Sequence, residues 1–157
     1  MDIKYSHDNY QFLFRVSALI FNHDLTKILI FQVKNREIHL LVGGKVRELE
    51  TTEDALKREI FEELGWEDYN FSLLAISEEF VPDKGFNNHQ LDIIYKVVYD
   101  LQILEYSFCG LEGDWITFKW IDIKDVDKYK IYPEQIKDII KNPNKFYHIV
   151  ENILSSK

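Results

Sequence analysis

Between Gly44 and Trp66 the chain carries a run of residues whose spacing admits few local structures. Gly44 is followed by five residues and then Glu50; seven residues later comes Arg58-Glu59-Ile60-Phe61-Glu62-Glu63-Leu64-Gly65-Trp66. Glu53 to Leu64 reads as a helix. Thr51 or Thr52 supplies an N-terminal cap, Glu53 and Asp54 lie in the first turn where the helix dipole favours acids, and Gly65 is the natural C-terminal stop. At about 100° per residue, Glu59, Glu62 and Glu63 share one arc of this helix. Leu56, Ile60, Phe61 and Leu64 occupy another sector and are expected to face a core. Ala55 falls within the acidic arc, and Arg58 stands one turn before Glu62, close enough to pair with it.

Three carboxylates on one helix face repel one another. On the helix alone, a solvated acidic face is the commoner outcome. The chemical alternative is a platform for a hard divalent cation, which takes several oxygen ligands.

The flanking segments read mostly as strands. Phe14 to Phe21 and Lys27 to Val33 form a hairpin across the turn signal Asn22-His23-Asp24, and Ile38 to Val42 is a short strand broken by Gly43-Gly44. Phe71 to Val81 and Gln90 to Leu101 are long strands separated by a loop from Pro82 to Asn88. Residues 102–113 read as loop and Asp114 to Ile121 as strand. Pro133 fits the first turn of a helix running to about Lys141. Phe146 to Glu151 is compatible with either a strand or a helical turn. This order predicts an α+β fold, with a mixed sheet and helices packed on it, in one domain spanning residues 1–157.

The formal charge of −8 argues against a general nucleic-acid binder, which carries a basic surface. The same charge weakens a reading as an RNA-end-processing enzyme, which a basic stripe at one edge of a cleft would revive. A lone cysteine, Cys109, cannot form an internal disulfide, so a reducing compartment is expected. The polar stretch Met1 to Tyr10 has no signal-peptide pattern, and no apolar run is long enough to span a membrane. The expected location is cytoplasmic.

The run from Gly44 to Trp66 matches every position of the pattern G-x5-E-x7-R-E-U-x-E-E-x-G-U, where U is a bulky apolar or aromatic residue. By this run the chain resembles the Nudix hydrolase family (MutT-like). The resemblance implies a Nudix-type α/β/α sandwich with a mixed β-sheet, in which the matched segment forms a loop–helix–loop. Val42 stands before Gly43-Gly44 where many relatives carry proline.

The implied activity is metal-dependent hydrolysis, by water attack on phosphorus, of a phosphoanhydride bond in a nucleoside diphosphate linked to another moiety. Mg²⁺ or Mn²⁺ is the implied cofactor. Carried over residue by residue, Glu59, Glu62, Glu63 and the Gly44 carbonyl are the metal ligands, and Arg58 orients the glutamates. Glu50 supports the loop or contacts metal through water. The general base remains open among Glu59, Glu63, Glu112 and Asp114; of the two loop acids Glu112 is preferred, because Asp114 borders a strand. A nucleotide or nucleotide derivative is the implied small-molecule partner, and a homodimer is expected by resemblance alone. The alternative is a Nudix-like nucleotide-binding or sensor domain without turnover.

Substrate identity lies outside the matched segment. Arg15, Phe80 and His89 are candidate substrate contacts, and Phe86, Tyr95 and Trp115 are further candidates for a base pocket. Pro82 lies about where ADP-ribose-cleaving relatives carry a proline, and it equally suits the end of a strand.

Overall fold

In the computed structural model, which describes residues 1–154, ten strands form one mixed sheet. They are β1 (Lys4–His7), β2 (Tyr10–Asn22), β3 (Lys27–Val33), β4 (His39–Leu40), β5 (Val42–Lys45), β6 (Tyr69–Asp83), β7 (Phe86–Tyr99), β8 (Ser107–Gly110), β9 (Gly113–Asp122) and β10 (Tyr147–Asn152). The sheet runs β10-β6-β7-β2-β3-β9-β8, with β1 and β5 also paired to β2 and β4 paired to β3. The β2–β7 and β6–β10 pairs are parallel and the remaining pairs are antiparallel. Two α-helices accompany them, α1 (Thr52–Leu64) and α2 (Ile136–Lys141), with a 3-10 turn over Ile123–Lys128.

Strand alternation sends successive side chains of β2 to opposite faces of the sheet. Val16, Ala18 and Ile20 pack on one face with Ala55, Leu56 and Ile60 of α1. Leu19 and Phe21 pack on the other with Ile136, Ile139 and Ile140 of α2. A helix therefore covers each face, which is the expected α/β/α sandwich. Each fully buried Val, Leu, Ile or Phe side chain among them contributes about 1.5–3 kcal/mol relative to exposure.

Several local expectations are corrected. Gly43-Gly44 does not end a strand: both residues lie inside β5 and pair with Ser17 and Val16. Residues 82–88 are not an open loop, because β6 and β7 continue into a tight hairpin turned at Lys84 and Gly85, both at positive φ. Paired positive-φ residues match the twist of the flanking strands. The 102–113 segment contains β8, held by β9. Helix α2 begins at Ile136, after a turn in which the Ile136 amide donates to the Pro133 carbonyl. Phe146 to Glu151 resolves into β10, parallel to β6. Phe61 is exposed and Ala55 is fully buried, so the apolar sector of α1 lies slightly to one side of the arc expected for it.

Candidate active site

The helix α1 starts and stops where its side chains dictate. The Thr51 hydroxyl accepts from the Asp54 amide, and Gly65 closes the helix in the left-handed conformation, its amide donating to the Phe61 carbonyl. Between these caps, Arg58 gathers the acids. Its Nε and Nη2 donate to the two carboxylate oxygens of Glu50 at 2.7 and 3.0 Å. Its Nη1 donates to Glu59 at 2.6 Å and reaches Glu62 at 3.4 Å, and Nη2 also donates to the Lys45 carbonyl at 3.0 Å. Glu50 in turn accepts from the Arg47 amide at 2.8 Å. The guanidinium thus ties the helix to the loop before it and to the end of β5, as its planar fork allows.

The glutamates differ in environment. The Arg58 hydrogen bonds hold the Glu50 carboxyl below its usual range. Burial pushes Glu59 up, with Arg58 opposing. Glu63 is 7% exposed. Burial, followed by the Glu59 charge, pushes its carboxyl up to about 8, with the Gly43 amide opposing as a hydrogen-bond donor. Its Oε2 is buried without a partner. Glu62 is the exposed member and also faces Arg47 at 3.6 Å.

The Glu59 carboxylate lies directly on the Cα of Gly44, in space that any side chain at that position would fill. This glycine is therefore a cradle for the carboxylate. Hard oxygen donors, one of them buried and unpartnered, fit Mg²⁺ or Mn²⁺. Among the described residues no three acidic, histidine or cysteine side chains already converge as a metal group. Arg58 contacts Glu59 and Glu62, and mutual repulsion opposes bringing three carboxylates together without a cation.

Beside this cluster opens a cavity of about 620 Å³, within the range of small-ligand sites. Its floor is the sheet surface of β6, β7 and β2. Arg15 lines it and acts electrostatically on Glu59 and Glu63 on one side and on Glu79 and Asp92 on the other. Lys4, Arg36, Lys45 and Lys84 stand around the cavity as well. An acidic chain thus keeps a local collar of cations where an anion would enter.

A family model for the NUDIX domain matches residues 12–142. The chain belongs to the Nudix family.

Similar solved structures carry the same fold. A mutator MutT protein from Bacillus halodurans aligns with TM-score 0.65 at 20% identity, over 87% of this chain and 86% of that one. A MutT from work on Aliivibrio salmonicida and Vibrio cholerae aligns with TM-score 0.58 at 26% identity, over 82% and 92%. The NUDIX domain of Shewanella oneidensis NrtR, solved with ADP ribose, aligns with TM-score 0.62 at 20% identity, over 82% and 84%. No curated protein matches the chain by sequence.

Within this Nudix fold the expected residues are distributed unevenly. Gly44, Arg58, Glu59, Glu62 and Glu63 come together on α1 and β5. Glu112 sits at the tip of the β8–β9 hairpin and acts electrostatically on Glu63, because the neighbouring Leu111 amide donates to the Glu63 carbonyl at 3.1 Å. Arg15 and Phe86 line the cavity. Phe80 and His89 do not: they stack on each other at 4.4 Å, with Phe12 against His89, on the α1 side of the sheet. Tyr95 is buried in that same core, bonded to Thr52 at 2.7 Å. Trp115 donates to the Glu112 carbonyl at 3.2 Å and shapes the hairpin. Pro82 lies in β6 and lines the cavity.

Sequence reasoning missed Glu79, Asp92 and Asn88, three polar residues that are 3%, 6% and 3% exposed on the cavity floor. The available signal was parity. Asn88, Gln90 and Asp92 alternate with His89, Leu91 and Ile93, so the polar set had to share one face of β7.

No helix among the described residues is long and apolar enough to cross a membrane. Cys109 is exposed on β8.

Proposed function

We propose that the protein is a nucleotide pyrophosphohydrolase, cleaving a phosphoanhydride bond in a nucleoside diphosphate linked to another group. The observation that carries this reading is the adjacency of two features: the Glu59–Glu63 face lying over Gly44, and a nucleotide-sized cavity joined to it through Arg15. Glu59, Glu62 and Glu63, with the Gly44 carbonyl, would hold Mg²⁺ or Mn²⁺. When bound, such an ion polarises phosphoryl oxygens and lowers the pKa of coordinated water.

The chain's own groups supply the remainder. Arg58 fixes the rotamers of Glu50 and Glu59 and sets the position of the loop. Arg15 and Lys45 orient the phosphates toward the acidic face. A carboxylate beside Glu63 takes the proton from the attacking water as the oxygen–phosphorus bond forms, and the leaving phosphate departs with the electron pair of the broken anhydride. Glu112 is well suited to this work: it is exposed, close to Glu63 and free of the Arg58 clamp.

The second reading is a binding domain without turnover: the NrtR domain, which shares this fold, was solved with ADP ribose. Lys4, Arg15, Arg36, Lys45 and Lys84 gather around one cavity, as binding of a free nucleotide requires.

The test is incubation with Mg²⁺ or Mn²⁺ and a panel of triphosphates, ADP-ribose, dinucleoside polyphosphates and triphosphorylated RNA, with Glu63→Gln in parallel. Metal-dependent cleavage lost in the variant supports the hydrolase. Tight binding of one panel member without cleavage supports the sensor. Neither cleavage nor binding would overturn both.

A further inference from the structure

Helix α1 covers only part of its face of the sheet. Side chains of paired strand residues stand side by side on one face, so the register aligns three rows there. The first is Tyr5 of β1, Phe12 of β2, His89 of β7 and Phe80 of β6. The second is Phe14, Leu91, Glu78 and Val150, ending on β10. The third is Val16, Ile93, Ile76 and His148. Val16 is fully buried in the core beneath α1, and Phe14 and Ile93 pack against that core.

Beyond this corner the rows are open. Phe12, Ile76, Phe80 and Leu91 are half-buried, and none of them belongs to either core cluster. Tyr5 is 56% and Val150 48% exposed. The rings pack sideways on one another, Phe12 edge-on to His89 at 5.5 Å and His89 stacked on Phe80 at 4.4 Å, which leaves the outward side of the row to solvent. Strands β2, β7 and β6 lie inside the sheet, and the apolar face of a sheet is normally buried against a second layer. A contiguous apolar surface of this kind on a folded chain marks a place where another molecule covers it.

Charge says what that molecule is. The chain carries a net charge of −8, so two copies repel one another over most of their surfaces. These three rows contain no lysine, arginine or aspartate, and Glu78 is their one acid. Its Oε2 lies 2.7 Å from His148 Nε2 on the neighbouring strand. A surface with one acid beside one imidazole is complementary to itself: turned about a two-fold axis, acid meets imidazole twice. The lack of lysine and arginine also removes the attraction that an anionic lipid surface or a nucleic acid would need.

We propose that this face, from Tyr5 and Phe12 across Phe80 and Leu91 to Val150, is the contact through which two copies of the chain form a two-fold dimer. Arg15, Glu79 and Asp92 alternate with these residues along the same strands and project to the reverse face, where they line the cavity. The pairing therefore leaves both cavities open, and the proposal stands independently of the hydrolase reading.

The experiment is sedimentation of the full chain from about 1 to 100 µM, the range in which a modest dimer assembles, with hydroxyl-radical footprinting at both ends of that range. The mass is expected to rise to twice that of one chain and stop there, as a closed two-fold pair must. Oxidation of Tyr5 and Phe80 should fall several-fold in the concentrated sample, whereas that of Trp115, on the distant β9, should not change. Val150→Lys and Leu91→Gln, each checked by circular dichroism, are expected to weaken the dimer by about a hundredfold. The footprint of the unaltered protein decides the matter if neither variant folds. A protein that stays monomeric throughout would overturn the proposal, and its binding to neutral phosphatidylcholine vesicles would then give the face to a membrane. Growth past two copies, unchanged oxidation of Tyr5 and Phe80, or an undiminished dimer in either folded variant would overturn it as well.

Discussion

Arg58 and Glu50 meet as a two-pronged pair, Nε to one carboxylate oxygen and Nη2 to the other. Both side chains are largely buried, at 16% and 14% exposure. Removing one partner leaves the other charge desolvated, whereas an exposed pair would matter little. Arg58→Ala is expected to destabilise the protein by about 2–3 kcal/mol, read as a lower urea midpoint at constant slope. Lysine, a single point donor, should restore only part of it. A double-mutant cycle with Glu50→Gln should give a coupling of about 1 kcal/mol or more; additivity would mean the pair is incidental.

Adjacent glycines should fail in different ways. A methyl group on Gly43 would run into the backbone of Val16 and Ser17, which cannot move without disturbing the β2–β5 pairing. Gly43→Ala is expected to cost about 2 kcal/mol or more. A methyl on Gly44 meets first the Glu59 carboxylate, the far end of a side chain and not backbone. Gly44→Ala should therefore fold nearly normally and lose about a hundredfold or more in kcat, because the carboxylate is displaced. Thermal melts alongside steady-state rates separate the two, and equal melting losses would refute the distinction.

Glu79 gives the fold a defined pH response. Burial raises its carboxyl from 4.5 to about 7, so between those values the folded chain binds a proton that the unfolded chain has released. The contribution of this group is fully present below about pH 4.5 and is lost as pH rises through about 7. The metal-free protein should melt lower at pH 8 than at pH 5 relative to Glu79→Gln, by on the order of 5 °C. A difference between wild type and variant that is independent of pH would exclude this linkage.

Glu112→Gln tests the hairpin acid. If its carboxylate takes the proton, kcat falls about a hundredfold or more with little change in KM. A loss confined to KM would assign Glu112 to substrate binding.

The sequence was most informative where one residue settles one conformation. Thr51 and Gly65 act locally, and each behaves in the fold as local chemistry predicts. It was least informative where a distant strand decides. β8 has little apolar pattern of its own and exists because β9 accepts it. The start of β7, with Asn87-Asn88, reads as loop because it is polar. It is strand nonetheless, and its polarity belongs to the cavity floor. Functional surfaces are where local patterning is expected to break. Phe80 and His89 misled for a related reason: aromatic character marks packing as readily as recognition, and only the strand's parity says which face a side chain serves.

The parallel pairing of β2 with β7 also bears on how the site comes into being. Tyr10–Asn22 must find Asn87–Tyr99, across a stretch of chain that contains α1 and β6. Such a distant pairing carries the loop-closure entropy of everything between before any contact offsets it. Arg15 and Asp92 are partners in that register, so the two halves of the cavity meet only when it forms. The helix can assemble early from its own caps, but a working pocket is expected to appear late and all at once, on a timescale of about milliseconds to seconds. A chain interrupted between β2 and β7 would then lose the cavity that the Nudix helix serves, whatever becomes of the helix caps.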